Sequence, residues 1–507
     1  MTDSAAQENA KQQPGTIDGR WAIFALVSIG TFMTTLDASI VNIALPSIAQ
    51  AFGTAVSGPV EWVVIGYLVV VAAMLLSFGR LADIVGRERV WIAGLAIFTI
   101  GSALSGLAPA LIWLVAARAL QGIGAALIFA PALALIVNAF PEAQRGQALG
   151  LNALVISLGV TAGPTLGGLI TETLGWRWIF FVNVPLGLIG LLVATRVFTL
   201  NAGARTRTFD MGGAATFGIG LAALSLGLSF GSEWGWTSPV LVLTLAVAIG
   251  ALAAAVLIER RHPDPLVDLG QLMSRRFGLP LATFLFSIFA LFATGFLLPF
   301  YFEEMRGWSP LISGLLLTPF SLGVALAAPI SGRLADRGDG RWLSPVGLGL
   351  AAIGLLLLAQ VGANSAPFEI ALWLGISGIG QGIFVSPNTR EVMSALPAER
   401  SGDASEMVAL ARVVGQAMSV AIVGAVFVGL GGAAAGASLV AQQASQSTGA
   451  TGPDTVFLGA MHAGLLVGAA LAAIGAVVSF LGRPPAGHRA DDVDARDARH
   501  LGSQARA

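Results

Sequence analysis

Fourteen apolar stretches, each close to the length a helix needs to cross a lipid bilayer, recur along this chain. They fall near residues 21–45, 60–79, 90–108, 111–137, 147–170, 176–197, 210–231, 239–258, 277–301, 310–331, 343–362, 367–387, 404–430 and 456–481. A spanning helix needs about 20 mostly apolar residues, because hydrocarbon offers no partner for backbone N–H and C=O groups and the helix satisfies them internally. The runs therefore predict an all-α membrane protein. Charge agrees: a soluble chain is about a quarter charged, whereas 11% of these 507 residues are.

Composition also excludes function classes. The formal net charge is −1 with no basic arm, so no nucleic-acid partner is expected. There is no cysteine, and the four histidines (His262, His462, His488 and His500) are scattered. Neither a thiolate nucleophile nor a metal site is expected. The spans carry no nucleophile–base pair and no nucleotide loop, so the chain does not read as an enzyme and needs no cofactor. Residues 1–20 are polar and no small-residue cleavage site follows the first run, which reads as an uncleaved helix.

Basic residues orient the spans. With the N-terminus inside, the inner loops hold sixteen arginines, among them Arg80, Arg87, Arg145, Arg275 and Arg333. The outer side holds Arg177 and Arg306. An even number of spans with both tails in the cytoplasm follows. Ten of the eleven tryptophans fall at predicted helix ends, which reads as interfacial anchoring.

The chain repeats itself weakly. GRLADIVGRER from Gly79 returns as GRLADRGDGR from Gly332, 253 residues on, and AFPEAQRGQA from Ala139 returns as ALPAERSGDA from Ala395, 256 on. Gln121-Gly122-Ile123 matches Gln381-Gly382-Ile383 at 260. Near-constant offsets predict two homologous six-helix halves with spans seven and eight inserted between them. The expected layout is an N-tail at 1–20, a first bundle at 21–200, two linker helices at 201–270, a second bundle at 271–482 and a C-tail at 483–507. Parallel repeats of this kind place a substrate site between the halves near the membrane midplane.

Against that frame the motifs become recognisable. GRLADIVGRER resembles the signature loop of the major facilitator superfamily, RALQGIG from Arg118 resembles its fourth-helix motif, and GVTAGPTLGG from Gly159 resembles its antiporter-associated fifth-helix motif. TLDASIVNIALP from Thr35 and WRWIFFVNVPLG from Trp176 resemble the fourteen-helix drug:proton antiporter branch. The resemblance covers about 21–480. It implies a proton-coupled efflux transporter in the bacterial inner membrane, a monomer moving amphipathic or cationic small molecules by alternating access. Proton gradient and lipid, rather than a cofactor, would be its partners. The alternative on the same fold is a specific metabolite exporter, facilitator or symporter. Glu61 departs from the pattern, standing before Trp62 where a neutral polar residue is expected, and the second half has Ser419-Val420 opposite Gly163-Pro164.

The candidate residues follow. An ionised carboxylate inside a span costs about 2.5–3.5 kcal/mol on insertion scales, so intramembrane acids mark function by default. Asp37, nine residues before Pro46, is expected to face the central cavity and exchange protons or a cation, the alternative being an acid satisfied by a neighbouring helix or snorkelling outward; Asn42 lies in the same run. Arg118 either tunes that acid or serves as a hub for backbone carbonyls, and Gln121 at i+3 can share its face. Gly159, Gly163 and Gly167 recur every four residues around Pro164. They make either a bendable, tightly packed antiporter helix or ordinary small-residue packing. Gly79, Arg80, Asp83, Gly86 and Arg87, with Gly332, Asp336 and Arg337, are expected to form gating loops, the aspartates holding charge pairs or helix N-termini across the halves, the alternative being a solvated positive-inside loop. Glu406 and Arg412 open span thirteen six residues apart, off each other's face, and serve either the cavity or the helix end. His462, Glu61, Glu303 and Glu304 read as surface groups, with Glu61 kept as a secondary candidate. Residues 431–453, rich in Gly, Ala and Ser, read as an outer loop.

Overall fold

The computed structural model describes residues 17–54, 58–198, 211–261, 269–337, 342–396, 401–445 and 452–482. Most of the expected N-tail, the C-tail and the start of the linker region lie outside the described residues, as do His262, His488 and His500. The first half comprises α1 (Ile17–Ala51), α2 (Gly58–Val85), α3 (Arg87–Leu107), α4 (Leu111–Ala139), α5 (Glu142–Thr173), the single turn α6 (Trp178–Phe181) and α7 (Asn183–Val197). Then come α8 (Met211–Trp234), α9 (Pro239–Arg261) and the turn α10 (Leu269–Leu272). The second half is α11 (Arg275–Phe300) with a π-helical turn at Tyr301–Met305, α12 (Pro310–Arg337), α13 (Leu343–Leu358), α14 (Pro367–Ser394), α15 (Ser401–Gly429), α16 (Gly432–Ser445) and α17 (Gly452–Leu481). Among the described residues, thirteen helical segments are long and apolar enough to span a membrane, and the shorter apolar α13 stands at the expected eleventh span. The loop motif of α2–α3 defines a basic end of the molecule. The opposite end is the far end.

Packing repeats as the sequence does. In the first half α4 packs on α2 and α3, and α5 on α1; in the second, α14 packs on α12 and α13, and α15 on α11. The halves meet through α5 against α12 and α15 against α2. The inserted pair α8–α9 packs on itself and leans α8 against both α2 and α15, the seam on one side of the molecule.

Glycine contacts set the internal register, because a helix pair can approach to backbone distance only where no Cβ intervenes. Gly122 lies against the Tyr67 carbonyl, and Gly378 against the Phe320 carbonyl. Gly124 lies against Phe98, and Gly380 against Ala351. The fourth helix of each half is thus related by 256 residues, so the 260-residue match of Gln121 to Gln381 is one helical turn out. Glycines four apart at Gly378 and Gly382 look alike in sequence, and only their contacts separate them. In that register Gln121 is equivalent to Ser377: Gly101 packs on the first and Gly354 on the second.

Three further expectations are corrected. Residues 431–453 are largely not a loop: Gly431, at φ +82°, turns the chain directly into α16, which packs on α17 and on the π-helical turn. The Gln443 side chain of α16 donates to the Glu304 carbonyl at 2.9 Å. Trp91 (0% exposed) and Trp176 (7%) are core residues rather than interfacial anchors, with Trp91 edge-on to Phe198. Trp113, Trp178, Trp236 and Trp342 are exposed near helix ends, as anchors should be.

Glu61 and Glu304 are buried rather than on the surface, while Glu303 and His462 are half-buried. Glu61 sits where α2, α8 and α15 meet, pressed against Gly424, with Ser229 and Glu233 of α8 beside it. Neither of its oxygens makes a hydrogen bond of good geometry among the described residues. A buried polar group without a partner costs about 1–3 kcal/mol, more when charged. Glu61→Gln, which keeps the shape and removes the ionisable group, is therefore expected to raise the thermal unfolding temperature by several degrees in detergent. An unchanged or lower unfolding temperature would mean the seam uses the acid.

Candidate functional site

Five elements of the first half converge on one polar cluster. α1 carries Asp37, α4 carries Arg118 with Gln121 one turn on, α7 opens with Asn183, α3 supplies Ser102, and α2 supplies the Val63 carbonyl and Tyr67. Arg118 Nη1 pairs with Asp37 Oδ2 at 2.5 Å and donates to Gln121 Oε1 at 2.7 Å. Gln121 Nε2 and Asn183 Nδ2 both donate to Asp37 Oδ1, at 2.9 and 3.1 Å. Asn183 also donates to Ser102 Oγ, and Arg118 Nε donates to the Val63 carbonyl at 3.0 Å. The guanidinium lies over the Tyr67 ring, 4.3 Å from its centroid. Asp37, Arg118 and Gln121 are each 0% exposed.

Arg118 thus makes both kinds of contact considered for it, an ion pair with Asp37 and a hydrogen bond to one backbone carbonyl. A buried carboxylate stays charged only when paired and hydrogen-bonded, and Asp37 accepts three such contacts. Asn183 is not among the candidates expected from the sequence; its signal there is an amide in an otherwise apolar span, within WRWIFFVNVPLG. The second half has no copy of the cluster: at the helix register established above, Arg118 corresponds to Leu374. The fold is duplicated; this chemistry is not.

Beside the cluster lies a cavity of about 210 Å³ between the halves. α1, α2, α4 and α5 line one side, with Thr31, Thr35, Tyr67, Phe129 and Asn152 among their contributions. α11, α14 and α15 line the other, with Phe292, Thr389, Met393, Arg412 and Gln416. The cavity reaches Met393 and Ser405, in the last and first turns of α14 and α15 at the basic end. The far end is closed. There Gly168 abuts the Pro310 backbone, Gly314 abuts that of Pro164, and Thr165 and Thr318 hydroxyls meet at 2.8 Å. The Glu172 carboxylate accepts from Leu311 N at 3.0 Å. Ser47 of α1 donates to Glu303 across the same gap.

Asp37 does not line this cavity, which corrects its expected placement. Tyr67 does, and the Arg118 guanidinium lies over its ring, so one residue touches both the cavity and the Arg118–Asp37 pair. The case for a cationic ligand rested on that carboxylate being in the wall. Asn42 belongs neither to the cluster nor to the cavity lining. It sits toward Gly295 of α11, and among the described residues its Oδ1 has no hydrogen-bond partner.

Gly159, Gly163 and Gly167 form the predicted strip, and it faces α1, against Thr35, Ser39, and Ile40 with Ile43. Ser39 donates to the Val160 carbonyl across the same contact. Pro164, Thr165 and Gly168, on the next face, meet the other half. The glycine strip thus holds α1 and Asp37 in place, while its neighbours form the far-end seal.

At the basic end Gly86, at φ +113°, makes the turn between α2 and α3 that residues with a Cβ rarely adopt. Asp83 pairs with Arg87 on its own turn at 2.8 Å. The contact across the halves there is made by Gly79 against the Glu406 carboxylate of α15, next to the buried Arg80. Gly332 lies against Ser386 of α14. Asp336 and Arg337 belong to the last turn of α12, and their side chains lie outside the described residues.

A family model described as Major Facilitator Superfamily matches this sequence twice, over residues 27–209 and 206–420. The chain belongs to the Major Facilitator Superfamily. Its members are transporters, and this one is a multi-pass membrane transporter rather than an enzyme. Multidrug resistance protein Stp of Mycobacterium tuberculosis is 36% identical over 399 residues, covering 78% of this chain and 74% of that protein. Methylenomycin A resistance protein of Streptomyces coelicolor is 32% identical, over 79% and 84%. Riboflavin transporter RibZ of Clostridioides difficile is 32% identical, over 80% and 88%. In three dimensions the chain resembles a bacterial homologue of the human lysosomal transporter Spinster at TM-score 0.63, covering 92% of this chain and 98% of that one. At 15% identity this likeness concerns the fold. The superfamily's two-half plan accounts for the cavity: it is the space between the repeats, here closed at one end.

Proposed function

We propose that this superfamily member is a proton-coupled exporter of amphipathic small molecules, a drug:proton antiporter of the bacterial cell membrane with both termini cytoplasmic. The observation that carries the reading is the buried Asp37–Arg118 pair, in contact with Tyr67 of the cavity wall. Protonation of Asp37 removes the counterion of a guanidinium that has no route to solvent in this arrangement. A buried charge left alone is strongly disfavoured. The cluster must then rearrange, and Tyr67 carries that rearrangement into the cavity wall. The basic end is taken as cytoplasmic from its arginines, so the structure corresponds to a cavity on the cytoplasmic side with the far end sealed. Exchange would proceed by rocking the halves about this gap, with one chain sufficient. The relatives named for multidrug and methylenomycin A resistance support export.

A second reading, a transporter for one metabolite, is favoured by the riboflavin transporter among the relatives. Expression in an efflux-deficient bacterium separates the two. Export of drugs is expected to raise the inhibitory concentration of several unrelated amphipathic compounds, with a protonophore restoring their accumulation. Protection against one compound alone would favour the metabolite reading. Accumulation indifferent to the protonophore would remove proton coupling.

A further inference from the structure

Arg412 is a cation inside a span, four residues before Gln416 on the cavity side of α15, and both line the cavity. Among the described residues lining that cavity, it is the one charged side chain. No Asp, Glu, Lys or His accompanies it. Every other polar group in the lining is a hydroxyl or an amide, such as Thr35, Thr389, Asn152 and Gln416. Among the described residues, the Arg412 guanidinium lies over the Phe284 ring, 6.0 Å from its centroid. Arg118, the other arginine deep within a span, has a carboxylate, an amide and a carbonyl. Glu406, the acid nearest Arg412 along α15, is six residues away on another face and packs against Gly79.

Charged side chains in membrane spans are expensive, and they pair with one another, with backbone carbonyls or with what passes through. Here the matching charge is missing from the cavity wall. We propose that it arrives with the substrate: the cavity selects amphipathic anions, an aromatic or aliphatic body bearing one carboxylate or comparable acidic group. Arg412 binds that group through its planar fork of N–H donors, with the Gln416 amide one turn on as a further donor. Tyr67, Phe129, Phe292 and Met393 take the apolar body. This rests on reading the cavity as the substrate site and reverses the charge expected from the first span alone. Asp37 is buried outside the cavity lining and cannot attract a cation into the cavity, whereas Arg412 lies in its wall.

The test compares three probes that share one aromatic body: 2-naphthylacetate, its neutral amide, and (2-naphthylmethyl)trimethylammonium. Their affinities are measured by calorimetry on the full chain in nanodiscs, at constant pH and salt, without any gradient. The carboxylate is expected to bind at least tenfold tighter than the amide, and the ammonium more weakly than either. Arg412→Gln is expected to bring the carboxylate to the level of the amide, and Arg412→Lys to keep several-fold preference. Should Arg412→Gln not fold, the charge order of the wild-type chain together with Arg412→Lys decides. Equal or tighter binding of the amide or ammonium, retention of the preference in Arg412→Gln, or no binding of the carboxylate at millimolar concentration would each overturn the proposal. A reversed charge order would leave protonophore-sensitive export standing. Loss of proton coupling would leave the charge order standing.

Discussion

Asp37→Asn is expected to abolish proton-coupled transport and to loosen the first half of the molecule at the same time. The substitution keeps the shape of the side chain and removes its charge, so Arg118 is left buried among neutral groups, the Gln121 amide oxygen, the Val63 carbonyl, the Tyr67 ring and an asparagine amide. Removing one partner of a buried pair typically costs about 3–5 kcal/mol, because the remaining charge is uncompensated. The unfolding temperature should fall clearly. That fall would make any loss of transport ambiguous, which is why the double variant matters. Asp37→Asn with Arg118→Gln removes both charges, and replacing a whole buried pair by neutral groups is often close to neutral in stability. The double variant is expected to recover most of the unfolding temperature while coupled transport stays at background. In reconstituted vesicles the readout is proton movement, followed by an internal pH dye, on addition of substrate. Wild-type proton flux in either variant would dismiss Asp37 from the mechanism. Recovery of flux in the double variant would make the pair structural only.

Gly168→Val is expected to force the far end open. Gly168 packs against the Pro310 backbone, and Gly314 packs reciprocally against that of Pro164, so two helices from different halves touch without side chains between them. Neither side can yield by turning a rotamer. Overpacking of such contacts costs about 1–3 kcal/mol. Here the cost falls on the far-closed arrangement alone, since the seal is absent once the halves part there. At 1.4 kcal/mol per factor of ten, a 3 kcal/mol wedge shifts that equilibrium by about a hundredfold. The chain contains no cysteine, so a single introduced thiol is the only one to label. A Ser47→Cys variant places it beside Glu303 at the seal. Labelling by a membrane-impermeant maleimide from the far side should be slow in that background and at least tenfold faster when Gly168→Val is added. Transport should fall, since one arrangement becomes inaccessible. Gly250→Val, where a side chain meets open space, is the control expected to change neither. Unchanged labelling in the Gly168 variant would mean this contact is not the seal.

The site was legible in the sequence to the extent that polarity in an apolar span is conspicuous. Asp37, Arg118 and Gln121 stand out for that reason, and the structure brings the three together. Asn183 carries the same signal more weakly, since an amide is cheaper to bury than a charge and draws less notice. Arg412 stood out as a charge near the start of α15, yet nothing along the chain tells whether it points to the cavity or to a helix end. Glu61 looked like a surface acid because it opens a helix. It is buried because α8 and α15, about 165 and 360 residues further on, close over it.

Length, hydropathy and repeat spacing by themselves determined the helical class, the span count and the division into two related halves. Those are properties of each segment's own contact with lipid, or of segment resemblance, and they need no knowledge of neighbours. Tertiary structure alone decided which face of each helix meets which partner. It put the strip at Gly159, Gly163 and Gly167 on α1 but the adjacent Gly168 on α12, moved the fourth-helix match by one turn, and kept Asp37 out of the cavity wall. Facing is a matter of rotation by about 100° per residue. In a helix apolar on nearly every side, composition does not reveal that rotation. It is set by close backbone approach and by the few hydrogen bonds that lipid cannot supply.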